Sequence, residues 1–306
     1  MTSKNKDHPF KNHQMPLSMR LFFSATTFTF KILSMASPKL AGKLALRLFM
    51  TPPNFGIPHR EKQLRDEANL THLKVRNRKI SIRSWGETNS PVILLSHGWG
   101  GRCTQLHAFI KPLTNAGYRV VGFDVPGHGD SEGKQTNILD VASIISEIES
   151  KEGPFEAIIG HSFGTGTALL SIDKFNVRPQ KLILIAYFSE VSFIIDLFGE
   201  LFSLKDSTLL SMQQEALDKF KNTYGISWNW QEISPVETIK SVRSEILMIH
   251  DDKDHEVPYS QAKLLEEVTP QAQILTTSGY GHRKILMNKQ CIETVLNFII
   301  KGQAHT

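Results

Sequence analysis

The chain has 306 residues, 40% of them apolar and 21% charged, enough for one or two domains with a sizeable buried core. Its 35 Lys and Arg against 30 Asp and Glu give +5, but the excess is local: residues 1–60 hold nine basic groups and one acid, Asp7, leaving 26 basic and 29 acidic groups in the remaining 246. That distribution excludes a uniformly basic nucleic-acid binder. Two cysteines, Cys103 and Cys291, are too few for a disulfide framework or a structural zinc site. They imply thiols in a reducing, cytoplasmic compartment, with one long-range disulfide as the alternative.

No uncharged apolar run reaches the roughly 18 residues needed to span a bilayer. The run from Leu21 to Phe30 is bracketed by Arg20 and Lys31, and its threonines (Thr26, Thr27, Thr29) dilute it as the core of a secretory leader ending at Ser34-Met35-Ala36. Two amphipathic helices are expected instead. In the first, Arg20, Ser24, Thr27, Lys31 and Ser34 form a polar stripe opposite Leu17, Leu21, Ala25, Phe28 and Ile32. The second opens at Ser37-Pro38, a hydroxyl cap with proline in the first turn. It carries Lys39, Lys43 and Arg47 along one edge, sets Leu40, Ala41, Leu44, Ala45 and Leu48 on its apolar face, and stops at Thr51-Pro52-Pro53. Such stripes are the ordinary signature of docked helices, so packing on the protein's own body or on a second subunit is preferred. Peripheral contact of residues 17–50 with an anionic membrane is the second reading.

From residue 70 onward, strand-like runs alternate with helical patterns, which predicts an α/β fold with a largely parallel sheet. His72 to Trp85 reads as one or two strands. Val92–Leu95, Val120–Phe123, Ala157–Ile159, Leu182–Ile185, Ile246–Ile249 and Gln273–Leu275 have the apolar look of strands covered on both faces. Helical stretches are expected near 103–116, 137–151, 164–175, 259–267 and 284–300. The 55 residues from Glu190 to Ser244 hold no strand signal, and Ile194, Leu197, Phe198, Leu201 and Phe202 share a helical face there. This segment reads as a small helical cap. Its aromatics and their neighbours (Phe188, Phe193, Phe198, Phe202, Trp228, Trp230) form either the cap's own core or the lining of an acyl pocket, the former preferred. The expected organisation is a basic helical extension over 1–60, a core formed by 61–189 and 245–306, and a cap over 190–244.

Gly160-His161-Ser162-Phe163-Gly164 follows one apolar run directly and precedes a helix of small residues. This is G-x-S-x-G between strand and helix, where a sharp turn holds the serine hydroxyl clear of the sheet. Gly160 and Gly164 avoid collisions with the neighbouring backbone, and the Phe163 N–H at the helix start suits a developing oxyanion. A serine nucleophile needs a base oriented by a third group. The downstream order supplies both: Asp254 in Ile249-His250-Asp251-Asp252-Lys253-Asp254-His255-Glu256-Val257-Pro258, and His282 in Gly279-Tyr280-Gly281-His282, each past a strand's C-terminal end. Ser96-His97-Gly98-Trp99-Gly100-Gly101 follows another strand, and the Trp99 N–H is the expected second oxyanion donor. His97 and Gly98 are supporting residues. A phosphate loop is absent, since Gly133-Lys134 is followed by Gln135. The acidic and histidine cluster at 250–256 matches neither a dihistidine metal motif nor a calcium loop, so no metal and no cofactor are expected.

These motifs resemble the α/β-hydrolase superfamily over about residues 70 to 301. Phe123-Asp124-Val125-Pro126-Gly127-His128-Gly129-Asp130-Ser131 is similar to the family's D-x-P-G-x-G-x-S loop, and His250…Asp254…Val257-Pro258 to its H-G-x-x-D-x-x-V-P. The second likeness selects Asp254 over Asp252. Asp251 stands where the family usually has glycine, and Thr165 where many members repeat glycine. The resemblance implies an α/β-hydrolase fold and a serine hydrolase that cleaves a carboxylic ester through an acyl-enzyme, with a small-molecule ester or acyl compound as substrate. Thioester, amide or lipid hydrolysis on the same residues is the nearer alternative, and a non-catalytic ligand-binding protein the further one. No nucleic-acid partner is expected.

Overall fold

The computed structural model describes residues 17–53, 55–225 and 227–301; the first sixteen residues of the expected basic extension lie outside them. Helices α1 (Leu17–Ala36), α2 (Pro38–Phe49) and α3 (His59–Glu67) come first, followed by strands β1 (Asn69–Val75), β2 (Arg78–Trp85) and β3 (Val92–Ser96). Strands and helices then alternate: α4 (His107–Asn115), β4 (Arg119–Phe123), α5 (Ile138–Glu152), β5 (Phe155–His161), α6 (Phe163–Phe175) and β6 (Lys181–Ile185). Three helices intervene, α7 (Val191–Leu201), α8 (Asp206–Tyr224) and α9 (Pro235–Thr238). The chain closes with β7 (Glu245–Asp251), α10 (Tyr259–Glu267), β8 (Gln273–Thr277), α11 (Gly281–Lys284) and α12 (Lys289–Ile300).

These elements divide into two compact units. The larger is built on an eight-stranded sheet of order β1-β2-β4-β3-β5-β6-β7-β8. β1 and β2 run antiparallel, and every pairing from β4 to β8 is parallel. The apolar runs are continuous because both sheet faces are covered. Successive residues alternate between them, Leu94 and Ile158 joining one core cluster and Ile93, Leu95 and Ile159 the other. The first cluster is completed by Val141, Ile144 and Ile145 of α5 and Leu169 and Ile172 of α6. The second is completed by Phe109 and Leu113 of α4 and Val295 and Phe298 of α12. Helix starts follow local capping: the side chains of Asn137 and Asn288 accept from Asp140 N–H and Cys291 N–H at 2.9 Å each. Cys103 and Cys291 are buried free thiols.

The smaller unit joins α1 and α2 to α7 and α8, so the expected extension and cap share one core. Ser37 caps α2 by accepting from Leu40 N–H at 3.3 Å, with Pro38 in the first turn. Gly42 lets α2 press against α8: a Cβ there would lie 2.6 Å from Ser211 Oγ and 2.8 Å from the Met212 backbone nitrogen. Phe202 is the aromatic hub, with ring centroids 5.5 Å from Phe23, 5.9 Å from Phe30 and 4.9 Å from Phe198, while Phe49 meets Phe198 at 5.1 Å. The unit's boundaries fall at Met50, Val191 and Trp230, against the expected 60, 190 and 244. Pro52 and Phe55 pack on Gly127 and Gly100 of the larger unit, and Val236, Ile239 and Val242 belong to its core.

One expectation about α1 is reversed. Its docked face carries Phe23, Phe30 and Ser34, the last accepting a hydrogen bond from Thr208 Oγ1 at 2.9 Å, whereas Leu17, Leu21, Phe28 and Ile32 face solvent. The cause is aromatic size: two phenylalanines at a seven-residue spacing fill more space against Phe202 than the Leu/Ile stripe would.

Candidate active site

Ser162 stands between β5 and α6 with φ +52° and ψ −117°, a conformation non-glycine residues rarely hold. The surroundings enforce it. Ser162 N–H donates to Ile185 O at 3.0 Å, while Thr165 N–H and Oγ1 donate back to Ser162 O at 2.9 and 2.6 Å. Thr165 thereby gains a structural role that glycine could not fill. Gly164 is forced by space, since a Cβ would lie 2.1 Å from Ser96 O; at Gly160 it would lie 2.7 Å from Gly164 O. Ser162 itself is half-buried.

Asp254 follows β7 and His282 follows β8, on the edge where β5 ends, and both are buried. His282 Nδ1 donates to Asp254 Oδ2 at 2.7 Å. The other carboxylate oxygen, Oδ1, accepts from Glu256 N–H at 2.8 Å and Val257 N–H at 2.9 Å. Burial alone would raise the Asp254 pKa, but the hydrogen bond and charge of His282, with the Val257 N–H, outweigh it and hold the carboxyl below its ordinary value. Asp252, by contrast, is exposed. His161, adjacent to Ser162, donates Nε2–H to the carbonyl of His282 at 2.8 Å, and their rings lie 4.9 Å apart. The residue before Ser162 thus touches His282; among the described residues no hydrogen bond runs from the Ser162 hydroxyl to His282. Such bonds are commonly long before substrate arrives.

The loop after β3 lies on the other side of the serine. A Cβ at Gly98 would come within 3.3 Å of Ser162 Cβ and 2.9 Å of His161 Nδ1. The Trp99 indole packs edge-on against the Phe163 ring at 5.1 Å, so the residues carrying the two expected oxyanion donors are neighbours. The loop is pinned from beneath: Gly98 N–H donates to Gln105 Oε1 at 2.7 Å, and Gly100 N–H to His128 Nε2 at 2.9 Å. His97 donates Nδ1–H to Gly98 O at 2.8 Å and accepts from Val125 N–H at 3.1 Å. Burial lowers the pKa of His97 to about 4; burial and the charge of His97 lower that of His128 to about 3; burial and the charge of His282 lower that of His161 to about 3. All three rings are neutral near pH 7, the form that the accepting Nε2 atoms of His97 and His128 require. A cleft of about 250 Å³, lined by Pro53, Phe55, Gly100, Gly101, His128 and Asp130 among others, opens beside this loop.

Three residues with clear positioning roles escaped the sequence reading. Gln105 was legible only as part of a helical stretch, and His128 only as a variable position in a glycine-rich loop. Asp251, in the family's glycine position, is buried and accepts from Thr277 Oγ1 at 2.8 Å, Lys253 N–H and Tyr280 N–H at 3.0 Å, and Gly279 N–H at 3.1 Å. It ties the Asp254 loop to the His282 loop. A charged residue closing a strand was the available signal.

A family model described as "Serine aminopeptidase, S33" matches residues 87–278. The chain belongs to this family of α/β-hydrolases. The hydrolase is 27% identical over 239 residues to the lysophosphatidylserine lipase ABHD12 of Danio rerio, covering 72% of this chain and 60% of that protein. The Xenopus tropicalis protein of the same name is 25% identical over 237 residues, covering 69% and 58%. The chain thus spans about three-fifths of the length of these relatives. Among solved structures, an esterase from Exiguobacterium antarcticum superposes with TM-score 0.56 at 18% identity, covering 75% of this chain and 98% of that one. A membrane phospholipase A described as a bacterial virulence factor gives 0.59 at 15% identity, covering 95% and 99%. The two solved structures share the fold of this chain, and no helix among the described residues is long and apolar enough to cross a membrane.

Proposed function

We propose that the chain is a serine hydrolase that cleaves a carboxylic ester through an acyl-enzyme. The observation that carries the reading is the buried 2.7 Å bond between His282 Nδ1 and Asp254 Oδ2, on the sheet edge that also holds Ser162 in its positive-φ turn. In this mechanism Ser162 Oγ attacks the carbonyl carbon as His282 Nε2 takes its proton. Asp254 fixes the ring's tautomer and stabilises the imidazolium. The carbonyl oxygen, now an anion, receives the N–H groups of Phe163 and Trp99. His282 then returns the proton to the leaving alcohol, and water repeats the sequence to release the acid. His97, Gly98, Gly160 and Gly164 act by holding this geometry.

The names of the curated relatives make a lipid ester the first substrate class to examine. The test is a fluorophosphonate probe with a panel of p-nitrophenyl esters, lysophospholipids, a thioester and an aminoacyl anilide. Wild type labels and Ser162→Ala does not, with loss of all turnover. Labelling of the alanine variant at the wild-type level removes Ser162 from the mechanism. Anilide turnover above ester turnover transfers the reading to amide hydrolysis.

A further inference from the structure

Helix α1 is apolar on two faces, and only one is used. Phe23, Phe30 and Ser34 dock within the smaller unit. On the opposite side Leu17, Leu21, Phe28 and Met35 expose 68%, 61%, 65% and 65% of their surface, with Ile32, 52% exposed, at the edge of the same stripe. Single exposed apolar residues are unremarkable, but five on one stripe make a contiguous patch of the kind that marks an interaction surface. Leu40 and Leu44 add exposed apolar surface on α2.

The charges beside this stripe identify its partner. Helices α1 and α2 contain no acidic residue and carry Arg20, Lys31, Lys39, Lys43 and Arg47. Arg20 and Lys31 lie along one flank of the α1 stripe by their spacing from Leu17, Phe28 and Met35. Lys43 is partly engaged by Glu215 at 3.7 Å, whereas Lys39 is exposed and makes no ion pair among the described residues. A self-complementary protein contact would leave this one-signed border facing its own like charges. A bilayer of anionic lipid satisfies both features at once, because acyl chains accept the Leu and Phe side chains and headgroups accept the cations.

We infer that the outer face of α1, with the basic flank of Arg20 and Lys31 and the exposed Lys39 of α2, is an in-plane docking surface for an anionic membrane. The unit rests on the bilayer by this face and does not cross it.

The test uses the full chain and vesicles of phosphatidylcholine alone or with 30% phosphatidylglycerol. Wild type co-sediments with the anionic vesicles, about tenfold more weakly with the neutral ones, and less in 0.5 M salt. Leu21→Ser, Phe28→Ser and Ile32→Ser together lower the partition at least tenfold, as do Arg20→Glu, Lys31→Glu and Lys39→Glu together. Circular dichroism and p-nitrophenyl butyrate turnover stay at wild-type values, because none of these side chains is docked or belongs to the proposed machinery. Wild type that remains in the supernatant with anionic vesicles overturns the inference. So does a mass by light scattering of twice the monomer's that the serine variants halve without any vesicle binding, which would assign the face to a second copy.

Discussion

His128 offers a perturbation whose effect on stability depends on pH. Its ring is neutral in the fold, accepting from Gly100 N–H and held to a pKa of about 3 by burial and by the charge of His97. An unfolded histidine titrates near 6.5, so between about pH 6.5 and 3 the unfolded chain binds a proton that the folded chain refuses. Stability is lost as pH falls through this window, at about 1.4 kcal/mol per pH unit for each such residue. Replacing His128 with Gln keeps an acceptor for Gly100 N–H and removes the titration. At pH 7.5 the variant should lie within about 1 kcal/mol of wild type, the scale of one adjusted hydrogen bond. At pH 5.0, some 1.5 units below 6.5, it should be the more stable protein by about 2 kcal/mol relative to its pH 7.5 difference. Urea denaturation at half-unit steps from pH 7.5 to 5.0 measures this directly. Parallel pH profiles for the two proteins would refute the reasoning, because His128 would then titrate alike in both states. His97 and His161 are buried in the same way, so wild type should lose stability steeply below pH 6.

Asp254→Asn is expected to lower kcat by about 10³- to 10⁴-fold, the cost of a wrong histidine tautomer, while exposed Asp252→Asn leaves it unchanged; steady-state ester hydrolysis compares them, and equal mild losses would remove both from the relay. Asp251→Gly, which installs the family's usual residue, leaves three backbone N–H groups and Thr277 without their carboxylate and should cost about 3 kcal/mol in urea unfolding at neutral pH. Burial raises the Asp251 pKa, but the hydrogen bonds from Thr277 and the backbone outweigh it and leave it lowered. Its stabilisation is therefore complete above about pH 4 and disappears as the carboxyl protonates below that, so the gap between variant and wild type should close in acid. A gap that widens there would contradict the assignment.

The sheet was readable because doubly covered strands must be continuously apolar, and every such run became a strand; β8 departs from that reason, lying at the end of the sheet with Ile274 48% exposed rather than covered on both faces. The places of Ser162, between β5 and α6, and of His282, past β8, were readable because each follows directly on an apolar strand run. The choice of Asp254 rested on likeness alone in the sequence; in the fold, two backbone N–H groups seize one oxygen of Asp254 and aim the other at His282. The docked face of α1 was not readable, since a helix apolar on two sides has periodicity on both, and partner shape decides between them. Asp251 was obscured for a different reason. Its worth lies in hydrogen bonds to a loop 26 to 29 residues away, which no local pattern records.

The smaller unit is discontinuous in the chain, with α1 and α2 completed by α7 and α8 from far downstream. Removing the first fifty residues would therefore amputate half of a folding module, stripping Phe202 of Phe23 and Phe30 and Phe198 of Phe49, and uncovering the side of α8 that Gly42 fits against. Any truncated form is thus predisposed to aggregate, and a grafted or shuffled version must carry both stretches together.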